Sequence, residues 1–241
     1  MRTSNPVLND NAFDRAGSFD ANNCMTIQGT TNKTFVLLFL LLVTASWTWK
    51  NPAGTIGFLF PAVIVGFILA LVTTFKKDWS PVTAPLYALA EGVVLGGVSI
   101  YFEKAYPGIV TQAVGLTTAT LLSLLVFYKS GFIKVTDNFR MGIFAATGGI
   151  ALFYFVSMIL GFFHIQIPLI YGNGIFSIGF SIFVVIIAAL NLVLDFDFIE
   201  QGSQRGAPKY MEWYGAFGLM VTLIWLYMEI LRLLSKMAKR N

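Results

Sequence analysis

Cysteine and histidine are nearly missing from this chain of 241 residues: Cys24 and His164 are the only ones. A single cysteine excludes an intrachain disulfide. One histidine leaves no His/Cys set for zinc, so redox and metal-thiolate chemistry are not expected. Charge is scarce as well. Asp, Glu, Lys and Arg make up 12% of the residues against 56% hydrophobic ones, with a mean hydropathy of +0.74, far from soluble averages. A soluble domain of this size cannot hide so much apolar surface, because even a large one leaves much of its surface facing water. The bilayer is the fitting solvent. The net charge of +4 does not point to nucleic acid, since the basic residues are scattered at the ends of apolar runs and read as topology determinants.

What is present is a series of seven apolar segments, at 34–49, 54–75, 82–102, 107–128, 139–163, 174–198 and 213–234. Most reach the ~20 residues that a helix rising ~1.5 Å per residue needs to cross a ~30 Å hydrocarbon core; the first is at the lower limit. Asn51-Pro52, Ser80-Pro81, Tyr106-Pro107, Pro168 and the stretch from Gly202 to Pro208 interrupt the segments, and links this short imply antiparallel neighbours. Pro61 is expected to break the second segment. Trp47, Trp49, Trp79 and Trp213 stand at segment ends, the depth of the headgroups that indole prefers. The chain thus divides into a polar arm at 1–33, a seven-helix membrane domain at 34–236 and a basic tail at 237–241. The arm carries Asp10, Asp14 and Asp20 and has no cleavable-signal pattern.

Lys33, Lys76, Lys77, Lys129, Lys134, Arg140, Arg205 and Lys209 fall on the N-terminal side of a seven-span arrangement, and Lys50, Lys104, Arg232, Lys236, Lys239 and Arg240 on the other. The loops favour a cytoplasmic N-terminus. The basic tail argues against it, unless the last segment enters and returns on one side.

Acids within the apolar segments are the informative residues, since an ionised side chain at bilayer depth costs a few to more than ~10 kcal/mol unless paired or hydrated. Glu91 lies near the middle of the third segment, in Ala90-Glu91-Gly92-Val93-Val94-Leu95-Gly96-Gly97, where the glycines would let a neighbouring helix approach closely. It is either a neutral acid hydrogen-bonded between helices or part of an ion or proton path. The sixth segment ends Asn191-Leu192-Val193-Leu194-Asp195-Phe196-Asp197-Phe198-Ile199. Asn191 and Asp195 are four apart and share a face, whereas Asp197 points about 200° away from Asp195. Asp195 is therefore the candidate for the bundle interior, and a carboxyl poised between a neutral form and an ionised form beside a cation is a pH sensor. The alternative is that both aspartates only mark the helix end. Glu229 and Arg232, three apart, can pair on one helical face as a structural pair.

Catalytic groups are not assembled. A Ser/His dyad, a Gly-x-Gly-Asp aspartate and a Glu/His zinc cluster are all missing, so no enzyme is expected. His164, at a helix end before Pro168, reads as an interfacial histidine. Gly172-Asn173-Gly174 is a turn without a Walker lysine. No cofactor and no fixed metal site follow from these residues; transient calcium at Asp195 or Glu91 is the only metal chemistry they suggest.

The order of these motifs resembles the Bax inhibitor-1/YccA family, also called the transmembrane Bax-inhibitor-motif family. The likeness rests on Ala90 to Gly96, on Asn191 to Ile199, and on Leu226-Tyr227-Met228-Glu229-Ile230-Leu231-Arg232-Leu233-Leu234. The opening Ser4-Asn5-Pro6-Val7-Leu8, followed by Met25-Thr26 and Lys33-Thr34, looks like a bacterial branch. The resemblance implies an all-α bundle of six helices around a central C-terminal seventh, and a pH-dependent calcium leak linked to stress responses. It also implies a latch of two aspartates, one in each of the last two helices. Asp195 matches the first by its context. Aligning the last helix on its Leu-Arg step places Thr222 where the second would fall, so the pair is missing here. A lone Asp195 lacks the like-charge coupling that separates two titrations. Gating is then shifted, or Glu91 supplies the second acid, or the protein does not conduct.

The expected function is a pH-sensitive passive cation (calcium) leak in a bacterial inner (plasma) membrane. Asp195 is the gate, Glu91 a second titratable group, and Asp197, Asn191 and Thr222 lie along the path. Lipid, calcium and protons are the expected partners. The alternative is a non-conducting protein that binds and modulates another membrane protein, such as a membrane-anchored protease.

Overall fold

The computed structural model describes residues 24–240; the Ser4 to Leu8 stretch and the three aspartates of the arm lie outside the described residues. Seven long helices follow one another: α1 (Ile27–Lys50), α2 (Pro52–Phe75), α3 (Ser80–Ala105), α4 (Ile109–Lys129), α5 (Asp137–Phe162), α6 (Ile175–Gln204) and α7 (Met211–Arg240). A 3₁₀ turn at Lys77–Trp79 joins α2 to α3, and a single turn at Pro168–Tyr171 precedes α6. All seven are long and apolar enough to cross a membrane, and no strand occurs among the described residues.

The helices depart from the hydropathy reading most clearly at α1, α2 and α7. α1 begins at Ile27, not near residue 34, because Thr26 caps it by accepting from the Gly29 N–H at 2.9 Å. In its first turns the hydroxyls of Thr30 and Thr34 are buried and donate to the carbonyls of Thr26 and Thr30, both at 3.0 Å. Threonines that satisfy themselves on their own helix are apolar in effect, which a hydropathy window does not register. The first span is therefore 24 residues, with no shortfall. α2 runs straight through Pro61 and is not broken there; membrane helices tolerate the lost hydrogen bond. α7 continues to Arg240 as one helix, so it does not enter and return on one side.

Alternating direction gathers the helix ends on two faces. On the first, Ser80 Oγ donates to the Tyr210 carbonyl at 3.0 Å and Lys77 lies over the Tyr214 ring at 5.2 Å. On the second, the Glu103 carboxylate at the end of α3 accepts from the N–H groups of Gly108 (2.6 Å) and Val110 (3.1 Å). It thereby closes the tight α3–α4 turn, whose Gly108 sits at φ 85°, a conformation that favours glycine. His164, at φ 62°, ends α5 at the exposed second face.

The C-terminal helix is the centre. α1, α3, α4 and α6 pack directly on α7; α2 packs on α3, and α5 on α6. α7 buries Ala216, Met220, Leu226 and Leu231 completely. Outward stand Phe35, Phe39, Phe60, Phe67, Phe144 and Phe155, each more than half exposed. A belt of bare phenylalanine is unsustainable in water and ordinary in lipid.

Candidate functional site: a buried carboxyl between the last two helices

Asp195 sits on the inner side of α6, facing Thr222 of α7. Its Oδ2 is buried and has no hydrogen-bond partner among the described residues. The Thr222 hydroxyl, against the carboxyl, also reaches the Gly218 carbonyl at 3.2 Å, and its single hydrogen serves only one of the two. A buried carboxyl oxygen without a donor is costly.

The other polar side chains of this stretch are separately satisfied. Asp197 accepts from Arg140 of α5 at 2.7 Å and from Gln201 one turn on at 2.7 Å. Asn191, a turn before Asp195, donates to Thr147 Oγ1 of α5 and to the Ile187 carbonyl, both at 2.8 Å. Though Asn191 and Asp195 share a helix face, the amide turns to α5 and the carboxyl to α7.

Glu91 lies elsewhere. It is hydrogen-bonded to Tyr87 a turn earlier on α3, and its Oε2 is 3.5 Å from where a side chain on Gly66 of α2 would begin. Tyr87 packs edge-on against Phe217 of α7, ring centres 5.1 Å apart. The two acids thus lie on different helices, Glu91 on α3 beside Gly66 of α2 and Asp195 on α6 beside Thr222 of α7, and no bond joins them among the described residues. The glycines around Glu91 serve helix approach: Gly92 and Gly96 meet α1, and Gly97 meets Leu59 of α2.

Glu229 and Arg232 pair at 2.8 Å, and Tyr154 of α5 joins them. Its hydroxyl lies 3.2 Å from Glu229 Oε2 and 2.7 Å from Arg232 Nη1, and the guanidinium stands 5.0 Å over its ring. Residue spacing did not reveal two further polar centres. Glu212, fully buried at the start of α7, accepts from the N–H and hydroxyl of Thr26 at 2.9 and 2.8 Å and pairs with Lys209 at 3.0 Å and with Lys33. The available signal was Lys209, one turn before an acid at a helix start. Lys236, counted above among the basic residues beyond the last span, is 6% exposed and donates to Ser181 Oγ at 2.8 Å and to the Ser177 carbonyl at 3.2 Å.

A family model described as Bax inhibitor 1 like matches residues 5–239. The chain belongs to the Bax inhibitor 1 like family. No curated protein and no solved structure matched it. Within this Bax inhibitor 1 like bundle Thr222 occupies the α7 position facing Asp195, so the carboxyl stands opposite a hydroxyl and not opposite a second acid. No group of three or more His, Cys, Asp or Glu residues that could hold a metal ion occurs among the described residues.

Proposed function

We propose that this protein is a pH-sensitive passive cation leak of a bacterial inner membrane, with calcium the favoured ion and Asp195 the gate. The observation that carries the reading is the buried, donorless Oδ2 of Asp195 between α6 and the central α7. Protonated, the carboxyl closes the position as a neutral group; deprotonated, it offers a hard oxygen ligand to a dehydrating cation. Glu91 is a second acid, on α3, that tunes the path without sharing a proton with Asp195. The first face lies toward the cytoplasm. It bears the exposed Lys76, Lys77, Lys129, Lys134 and Arg205, whereas Arg232 and Lys236 near the other end are bonded inside the bundle and weigh less as topogenic loop charges.

The test is calcium flux into liposomes carrying the folded full-length protein. Flux is expected to be higher at about pH 8 than at about pH 6, because only the deprotonated carboxyl offers the cation a charged ligand. Asp195→Asn should lower it about tenfold and abolish the pH difference, because a cation at bilayer depth loses a charged ligand. Asp197→Asn, whose carboxylate is already neutralised by Arg140, should leave it within about twofold. Flux no greater than that of protein-free liposomes at either pH would overturn the leak. It would leave a non-conducting protein that modulates another membrane protein, such as a membrane-anchored protease.

A further inference from the structure

Away from Asp195, a cleft of about 460 Å³ opens sideways between α1, α3, α4 and α7, within the ~300–1,000 Å³ typical of ligand sites. Along α1 it runs from Leu38 through Leu41, Leu42, Ala45 and Ser46 to Trp49 and Lys50, the i, i+3, i+4 rhythm of one helical face. Leu38 and Lys50 are twelve residues apart, ~18 Å at ~1.5 Å per residue. That is close to the ~15 Å depth of one leaflet in a ~30 Å hydrocarbon core. The cleft therefore spans a single leaflet, from the helix end to mid-membrane.

Its walls suit a chain and its mouth suits a headgroup. Val114 and Leu121 of α4 and Leu223 of α7 are apolar, and the Ser99 and Tyr227 hydroxyls in the wall satisfy each other at 2.7 Å. At the mouth Trp49 and Lys50 are both exposed, and Lys50 has no ion pair among the described residues. Glu103, at the end of α3, is bonded to the N–H groups of Gly108 and Val110 and makes no ion pair with Lys50. An unpaired ammonium beside an indole at headgroup depth attracts a lipid phosphate.

We propose that this cleft is a binding site for one anionic phospholipid, an acyl chain lying along α1 to Leu38 and the phosphate on Lys50. Occupancy fills a groove that otherwise leaves α1 and α4 apart. The site is separate from Asp195, so it stands or falls independently of the leak.

Native mass spectrometry of the full-length protein in mild detergent, titrated with phosphatidylglycerol or phosphatidylcholine of equal chain length, tests it. The first phosphatidylglycerol should bind about fivefold tighter than the first phosphatidylcholine, the share of one lysine near the surface. Lys50→Gln should equalise the two lipids. Val114→Trp, which places a large ring in the cleft, should weaken both. Equal retention of the two lipids by the unaltered protein, or a preference that survives Lys50→Gln, would overturn the proposal. If Val114→Trp does not fold, the surface substitution at Lys50 decides alone; binding unchanged in a folded Val114→Trp places the lipid elsewhere and also overturns it.

Discussion

Glu212→Ala is expected to cost about 3–5 kcal/mol of bundle stability, the usual penalty for deleting one member of a buried ion pair. Glu212 is 0% exposed and takes four hydrogen-bonding groups, the N–H and hydroxyl of Thr26, Lys33 and Lys209. The partners are not equally free to leave. The Lys209 side chain is 45% exposed and turns to water, whereas that of Lys33 is 19% exposed and stands 5.5 Å over the Trp213 ring. Without the carboxylate, an ammonium and the Thr26 amide, which begins α1, lose their acceptor together. Lys209→Ala should therefore cost under about 1 kcal/mol. Gly29→Ala should resemble the Glu212 change, since a Cβ on Gly29 would fall 2.1 Å from Glu212 Oε1 and displace the carboxylate. Thermal unfolding of the purified variants in detergent ranks the three; a Glu212→Ala midpoint equal to that of the unaltered protein would show that this cluster does not hold α1 to α7.

The second large effect lies in the contact of α1 with α3. A Cβ on Gly92 would meet Thr44 Oγ1 at 2.0 Å and the Leu41 carbonyl oxygen at 2.3 Å. Thr44 can rotate, but the carbonyl belongs to a helix backbone and cannot, so the two helices must part along their length. Gly92→Val is expected to cost about 3 kcal/mol, the upper part of the range for overpacking, and to lower the yield of monodisperse protein. Gly148→Ala supplies the contrast. Nothing lies within 4 Å of that added carbon, and alanine is the better helix former, so the midpoint should stay level or rise slightly. Equal midpoints for Gly92→Val and Gly148→Ala would contradict the close approach of α1 and α3.

The contrast between these glycines shows how far residue order reaches. Seven spans were legible because length and hydropathy are local properties, and the bilayer forces each apolar run of sufficient length into a helix. The Glu229–Arg232 pair was legible for the same reason, since i,i+3 spacing needs no second helix. The start of α1 was not, because Thr30 and Thr34 are polar by type and become apolar only by bonding their own backbone.

Which way each helix turns was decided by packing. In water the inward face of a helix is its apolar face, but lipid is as apolar as the bundle core, so hydrophobicity hardly distinguishes in from out. Sequence alone therefore determined that Glu91 lies near the middle of the third span and that Asp195 belongs to the sixth. Tertiary structure alone decided that Tyr87 holds one and Thr222 of α7 faces the other, that Arg140 neutralises Asp197, and that Lys236 is inside the bundle. The physical reason is that a partner for a buried charge comes from a neighbouring helix, whose rotation is fixed by close contacts such as Gly92 on Leu41, and not by the residues on either side of the charge.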